Sequence, residues 1–137
     1  MAGKTKAYVD TSVLIAFVDR SDTHHALFRR LFSEPPALLT TTLVVAEGHA
    51  WFLRRYDRTR ALQFLSMIED MKPLEVAAVG ATEQVAAGRL LRRFSDQDLT
   101  LTDAAGLYLM NRHKIRSCWS TDFHLGIAGA SLVIDIH

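Results

Sequence analysis

The sequence predicts an α/β domain in which helices cover both faces of a central parallel sheet of about five strands. Short apolar segments alternate with longer helical segments along the whole chain, and this order is typical of parallel strands joined by helices. A length of 137 residues supports one compact domain, spanning residues 1–137. With 49% hydrophobic residues, the composition is that of a globular protein and not of a disordered chain.

Local patterns indicate where each element begins and ends. The predicted strands are residues 7–9, 37–40, 74–79, 117–120 and 131–136. The predicted helices are residues 11–18, 24–32, 42–56, 58–72, 82–94 and 103–112. Polar residues provide the expected caps: Ser21, Asp22 or Thr23 for the second helix, Thr41 or Thr42 for the third, Asp57 for the fourth and Thr102 for the sixth. In the fifth helix we expect Val85, Ala86, Leu90 and Phe94 to face inward.

Composition also limits the class of protein. The 16 basic and 15 acidic residues give a formal charge of +1, so any contact with nucleic acid has to come from local basic patches. The longest purely apolar run, residues 13–18, is far shorter than the roughly 20 residues of a membrane span. The single cysteine, Cys118, forms no internal disulfide and belongs to an expected buried strand. We therefore expect a cytoplasmic protein with no membrane association.

Four carboxylates occupy positions that suggest a shared site. Asp10 follows the first strand and Asp122 follows the fourth, while Asp103 lies at the start of the sixth helix. Glu47 lies on a mostly apolar turn of the third helix. Because ligands bind beyond the carboxyl ends of the strands in an open parallel sheet, we expect the four acids to meet at that edge.

Carboxylates that converge without cations repel one another, and the sequence places no matching Lys or Arg beside them. A divalent cation removes this conflict, and an all-oxygen site suits Mg²⁺ or Mn²⁺. Such an ion supports phosphoryl chemistry. Each acid also has a local explanation: Asp10 and Asp122 as caps, Asp103 as a favourable charge at a helix N-terminus, and Glu47 as a paired helical acid.

Four segments in the same order resemble PIN-domain ribonucleases, particularly the VapC-type toxins of type II toxin–antitoxin systems. They are Tyr8-Val9-Asp10-Thr11-Ser12, the stretch from Thr40 to Glu47, Asp96 through Ala104, and Ser120-Thr121-Asp122. The resemblance covers nearly the whole chain. It implies a three-layer α/β/α fold and Mg²⁺- or Mn²⁺-dependent endonucleolytic cleavage of RNA, commonly tRNA or ribosomal RNA.

The resemblance also implies roles for individual residues. Asp10 and Asp103 are the leading metal ligands, and Glu47 and Asp122 complete the acidic pocket. The hydroxyl groups of Ser12 and Thr121 would orient water or a phosphate oxygen, and cleavage would leave a 5′-phosphate and a 3′-hydroxyl. The family further implies a cognate antitoxin and self-association as a homodimer, with the apolar first helix contributing to a groove or, alternatively, lying wholly in the core.

Several residues near the motifs remain open. Asp96 and Asp98 are either a fifth acid of the site or solvated loop residues, and His124 is close enough to Asp122 in sequence to touch substrate. The aromatic residue that family members often carry after the fourth acid is displaced here, in the order Asp122-Phe123-His124-Leu125. None of the six histidines has a zinc-site spacing.

Basic residues form four clusters that suit phosphate binding or, alternatively, solvated helix faces. They are Arg29-Arg30, Arg54-Arg55 with Arg58 and Arg60, Arg89 with Arg92-Arg93, and Arg112 to Arg116. Because Arg112, Lys114 and Arg116 lie between Asp103 and Asp122 in sequence, we expect them to be the best placed for RNA.

Two other classes of function compete with the nuclease. One is a catalytically silent PIN-like module that binds RNA or protein, against which the four retained carboxylates argue. The other is a phosphatase or a phosphate-accepting receiver domain. A receiver domain would need a lysine late in the chain, but no lysine follows Asp122. A phosphatase motif would have a second Asp two residues after Asp10, but Ser12 occupies that position.

Overall fold

The computed structural model describes residues 6–121, 126 and 131–132. Within this part of the chain, five parallel strands form one sheet in the order β3-β2-β1-β4-β5. The strands are β1 (Ala7–Val9), β2 (Leu38–Thr41), β3 (Leu74–Ala77), β4 (Ser117–Trp119) and β5 (Ser131–Leu132). The helices are α1 (Thr11–Val18), α2 (His25–Leu31), α3 (Thr42–Arg55), α4 (Arg58–Asp70), α5 (Ala81–Arg93) and α6 (Leu101–Arg112).

Alternating side chains of each strand reach opposite faces of the sheet, so the core has two main parts. Ala7, Val9, Leu38 and Trp119 pack with Phe28, Phe52 and Phe64 from α2, α3 and α4. On the other face, Tyr8, Leu39 and Cys118 pack with Leu109 and Met110 of α6. Helices therefore cover both faces, as the three-layer α/β/α prediction requires.

Most element boundaries lie within a few residues of the predicted ones. Thr41 and Asp57 cap α3 and α4 through their side chains, as expected. The α2 helix is one residue shorter at each end than the predicted range 24–32. Helix α4 ends at Asp70, before the expected stop at Pro73, and β3 ends at Ala77 instead of residue 79. The last strand is described only over its first two residues.

Two predictions at α5 and α6 are wrong. Thr102 does not cap α6: Thr100 does, because its hydroxyl reaches the backbone of Asp103 and the Asp103 carboxylate reaches back to Thr100. Val85 does not face inward, since 55% of it is exposed, while the neighbouring small residue Ala87 is fully buried against Ala104 and Ala105 of α6. Close helix packing therefore selects alanine over valine at this contact.

Helix α1 is not wholly buried. Thr11, Val13, Leu14 and Ala16 are buried, whereas Ile15, Phe17 and Val18 remain partly exposed.

None of the described helices has the length and apolar character that a membrane span requires.

Candidate active site

A cleft of about 270 Å³ opens where β1, α1, α3 and the first turn of α6 meet. Its lining consists of polar residues and a few apolar ones: Asp10, Thr11, Ser12, Ile15, Glu47, Trp51, Arg54, Thr100 and Asp103. Three of the four predicted acids therefore face one cavity at the carboxyl edge of the sheet. We refer to this cavity as the acid cleft.

Asp10 is held in place by contacts from two parts of the chain, the start of α1 and the end of β4. Its backbone N–H donates to the carbonyl of Trp119 in β4 at 2.9 Å. Its Oδ2 accepts hydrogen bonds from Ser12 Oγ at 2.8 Å and from Ser120 Oγ at 3.0 Å. The same carboxylate caps α1, so the local explanation and the shared-site explanation hold together.

Burial changes the acidity of this carboxylate. Only 4% of Asp10 is exposed, and this burial raises the pKa of its side chain from 3.8 to about 6. Hydrogen bonds from Ser12, Ser120 and the Thr11 backbone lower that pKa, while the charge of Asp103 raises it. The two aspartates are therefore close enough to interact electrostatically across the acid cleft.

Asp103 is the third residue of α6 and is 8% exposed. Its backbone N–H donates to Thr100 Oγ1 at 3.1 Å, and its Oδ2 accepts from the Thr100 backbone N–H at 3.0 Å. This reciprocal arrangement stabilises the N-terminus of α6 and fixes the carboxylate at the acid cleft.

One stripe of α3 supplies the opposite wall. Glu47, Trp51 and Arg54 follow one another at intervals of four and three residues, which places them on one helix face. Glu47 and Trp51 are half-buried. Arg54 is the one cation among the described residues that line the acid cleft. Trp51 and Arg54 were not singled out for this site from sequence, although their spacing from Glu47 was the available signal.

The remaining predicted site residues have different outcomes. Asp122 and His124 lie outside the described residues, so their placement stays a prediction. Asp96 and Asp98 are exposed and do not line the acid cleft, as the interpretation of solvated loop residues expects. The Ser12 hydroxyl donates a hydrogen bond to Asp10, and its oxygen accepts one from the Thr121 backbone N–H at 3.0 Å. Ser12 therefore holds Asp10 in place, and its expected role in orienting water or a phosphate oxygen stays a prediction.

Arg112, Lys114 and Arg116, the basic residues expected to be best placed for RNA, do not line the acid cleft. Asp103 lies in the first turn of α6, and Arg112 ends that helix roughly 14 Å further along its axis. The three basic residues therefore lie towards the amino end of β4, away from the acid cleft. Proximity to Asp103 in sequence does not bring them close to it in space, because a helix of this length crosses the whole sheet.

The donor chemistry of the acid cleft fits a hard divalent cation. Asp10 and Asp103 are buried carboxylates that repel each other, and the buried Thr11 Oγ1 beside them has no hydrogen-bond partner. Carboxylate oxygens are the ligands that Mg²⁺ and Mn²⁺ prefer. Among the described residues, however, no group of three or more His, Cys, Asp or Glu is already arranged to hold a metal ion.

Comparison with known proteins is consistent with this fold. The PIN domain family matches residues 7–125. Ribonuclease VapC26 of Mycobacterium tuberculosis is 30% identical over 115 residues, which are 83% of this chain and 84% of that protein. The 23S rRNA-specific endonuclease VapC20 of the same species is 27% identical over 124 residues, 89% of this chain and 93% of that protein.

Solved structures show the same architecture. The crystal structure of M. tuberculosis VapC20, described as a toxin that cleaves the sarcin–ricin loop, superposes with a TM-score of 0.84 at 24% identity, covering 91% of this chain and 96% of that one. A toxin–antitoxin complex from Klebsiella pneumoniae has a TM-score of 0.62 at 17% identity, covering 91% and 95%. Sequence and fold agree: the chain belongs to the PIN-domain family and is a ribonuclease of the VapC type.

Proposed function

We propose that this ribonuclease is a Mg²⁺- or Mn²⁺-dependent endonuclease that cuts tRNA or ribosomal RNA and acts as the toxin of a toxin–antitoxin pair. The observation that carries the proposal is the acid cleft. Its two aspartates, Asp10 and Asp103, are each more than nine-tenths buried and repel each other electrostatically, and Arg54 also lines the cleft. Burial of two repelling carboxylates is costly unless a cation accompanies them.

In this proposal Asp10 and Asp103 hold the divalent ion, and Glu47 and Asp122 complete the acidic set. When bound, the ion neutralises the carboxylates, activates water and stabilises charge on the phosphate. The hydroxyl groups of Ser12 and Ser120 keep the Asp10 carboxylate in one orientation through their hydrogen bonds to Oδ2. Thr100 does the same for Asp103 through the α6 capping box.

The α3 stripe is suited to binding the RNA strand. Arg54 can pair with a phosphate oxygen next to the scissile bond, and the Trp51 ring offers a surface for a neighbouring base. Hydrolysis adds the water oxygen to phosphorus and a proton to the departing O3′, which leaves a 5′-phosphate and a 3′-hydroxyl. VapC20, a relative of this chain, is a 23S rRNA-specific endonuclease, and this supports a structured RNA as substrate.

The biological setting follows from the relatives. VapC20 is described as a toxin, and the K. pneumoniae structure is a toxin–antitoxin complex. We therefore propose a cognate antitoxin as protein partner. From the family resemblance we also propose a homodimer as the assembled state and the cytoplasm as the location. The partly exposed residues Ile15, Phe17 and Val18 of α1 are suited to contribute to one of these contacts.

Cleavage of purified tRNA and ribosomal RNA tests the proposal directly. We expect discrete fragments with Mg²⁺ or Mn²⁺ that disappear with EDTA and in Asp10→Asn and Asp103→Asn. Asp98→Asn is the matched control, because it removes an exposed acid near Asp103 that does not line the acid cleft, and its activity should equal that of the unmodified protein.

Binding of the ion has a separate readout. Addition of Mn²⁺ should raise the melting temperature of the unmodified protein and of Asp98→Asn but not that of Asp10→Asn, because a ligand that binds the folded state stabilises it. Folded protein that binds Mn²⁺ yet cleaves neither RNA would favour the silent binding module. Full cleavage by Asp10→Asn and Asp103→Asn would remove the proposed site.

A further inference from the structure

A second cavity among the described residues lies away from the acid cleft and shares none of its lining residues. It has a volume of about 500 Å³ and lies between the second half of α5 and the second half of α6. Arg89 and Arg93 of α5 and Arg116, just before β4, border this cavity. We refer to it as the arginine pocket. Its size is within the range of pockets that bind small molecules or nucleotides.

The three arginines belong to basic clusters that are far apart in sequence. Folding brings Arg89 and Arg93 together with Arg116 because α5 packs beside α6, which leads into β4. All three side chains are exposed, and none forms a salt bridge with a carboxylate in the described part of the chain. No described residue that lines the arginine pocket is acidic. The positive charge is therefore available to an anionic ligand.

The remaining lining is apolar, aromatic or neutral polar. Leu90, Leu107 and Ile115 provide apolar surface, and Tyr108 and Asn111 add a phenol ring and an amide. Arg93 lies over the Phe94 ring at 5.4 Å from the ring centre, which orients its guanidinium group. Arginines beside an aromatic ring suit a nucleotide, because guanidinium groups bind phosphates and rings stack on bases.

The arginine pocket is also placed along the same helix as the acid cleft. Leu107 and Asn111 follow Asp103 at intervals of four residues, so the three lie on one stripe of α6. The separation along the helix axis is roughly 6–12 Å. The nearer end of the arginine pocket is therefore one to two turns of α6 from the acid cleft, and an RNA strand of several nucleotides can span both.

We propose that the arginine pocket is an accessory RNA-binding site, where Arg89 and Arg116 bind phosphates of the substrate and Tyr108 contacts a base away from the scissile bond. The inference rests on the proposed function in taking RNA as the substrate. The arginine pocket would increase the affinity for any RNA that extends beyond the acid cleft. A very short RNA that reaches only the acid cleft would not use it.

Binding measurements in EDTA test the arginine pocket without cleavage. Fluorescence anisotropy of a labelled mixed-sequence single-stranded RNA would compare the unmodified protein with the double variant Arg89→Gln/Arg116→Gln. We expect about ten-fold weaker binding at low salt, and a slope of log K against log salt that is smaller by about 1.4, or 0.7 for each lost phosphate contact. Arg58→Gln, an exposed arginine of α4 that lines no described pocket, is the control and should change neither quantity appreciably.

The outcomes separate this inference from the proposed function. If the unmodified protein cleaves RNA but the double variant has the affinity and salt slope of Arg58→Gln, the accessory site is wrong and the nuclease stands. If the unmodified protein binds no RNA in EDTA and cleaves none with Mn²⁺, the proposed function fails first. If poly-glutamate binds in a manner that requires Arg89 and Arg116 while RNA binding does not, the pocket serves an acidic protein and the RNA assignment is overturned.

With Mn²⁺ present, cleavage rates should also depend on whether the RNA is long enough to reach the arginine pocket. The double variant should cleave the long RNA with a reduced kcat/KM and cleave a dinucleotide at the rate of the unmodified protein. An equal loss on both substrates would place Arg89 and Arg116 in the reaction at the acid cleft and contradict an accessory site.

Discussion

Ser120 donates a hydrogen bond of 3.0 Å to Asp10 Oδ2, although 110 residues separate the two in sequence. Ser120 is completely buried and follows β4, and Asp10 follows β1, the neighbouring strand. The contact therefore joins the ends of two adjacent parallel strands. It also places a neutral donor on a buried carboxylate whose pKa is raised to about 6 by burial.

The first prediction concerns stability against pH in EDTA. Because the pKa of Asp10 is higher in the folded protein, at about 6, than its ordinary value of 3.8, the folded state binds the proton more tightly. The free energy of unfolding should therefore fall as pH rises from about 4 to about 6, by up to ~3 kcal/mol, and change little above that window from this group. Urea unfolding at a series of pH values measures it.

Asp10→Asn is the matching control, since the amide has a similar shape and does not titrate. It should flatten the fall between pH 4 and pH 6 and be more stable than the unmodified protein at pH 7 in EDTA. A fall of the same size in both proteins would show that another group is responsible.

The second prediction concerns Ser120→Ala. Loss of one hydrogen bond to the charged carboxylate should raise the pKa of Asp10 by roughly one further unit. The decline of stability with pH should then extend to about pH 7 in EDTA. Ser21→Ala is the control, because its hydroxyl also donates to an aspartate, Asp19, at 2.8 Å, but on the exposed surface. An unchanged upper limit of the pH window in Ser120→Ala would contradict the assigned contact.

The third prediction concerns Arg54→Gln. Because Arg54 faces the acid cleft, losing its guanidinium group should lower kcat/KM for RNA cleavage about ten- to hundred-fold without unfolding the protein. Arg55→Gln provides the comparison, since Arg55 lies over the Tyr56 ring at 5.7 Å from its centre and does not line the acid cleft. Similar losses in both variants would indicate a general charge effect on RNA association.

The fourth prediction concerns the packing of α6 on β1. A Cβ atom at Gly106 would lie 2.5 Å from Tyr8 Oη, and Tyr8 is buried between the sheet and α6. Gly106→Ala should therefore destabilise the fold by about 1–3 kcal/mol or more, as measured by thermal unfolding. In α5, Gly88→Ala meets only the flexible end of Arg92, at 3.2 Å, and should stabilise by up to about 1 kcal/mol through helix propensity. A harmless Gly106→Ala would show that α6 can shift away from β1.

Much of the fold was predictable because local patterns determine it. Apolar strands of three or four residues, caps at Thr41 and Asp57, and amphipathic helices between them each leave a signal within a few neighbouring residues. The error at Thr102 had a signal too: Thr100 and Asp103 have the three-residue spacing of a capping box. No sequence signal indicated that Val85 is exposed, because helix propensity does not reveal which face of α5 packs on α6.

The sequence by itself determined the order of the elements and the placing of carboxylates after strands and at helix starts. From that order, Asp10 and Asp103 were expected at one edge of the sheet, and they are found there. The physical reason is that parallel strands joined by helices must all end at the same edge, so a residue that follows a strand has its location decided by local structure alone.

Only the tertiary structure decided which cations lie near which surface. Arg54 faces the acid cleft, whereas Arg116, the expected candidate, borders a different cavity with Arg89 and Arg93. The rotation of each helix about its axis, and the choice of its neighbours, depend on how buried side chains such as Phe52, Ala87 and Met110 pack across the whole core. No short stretch of sequence contains that information.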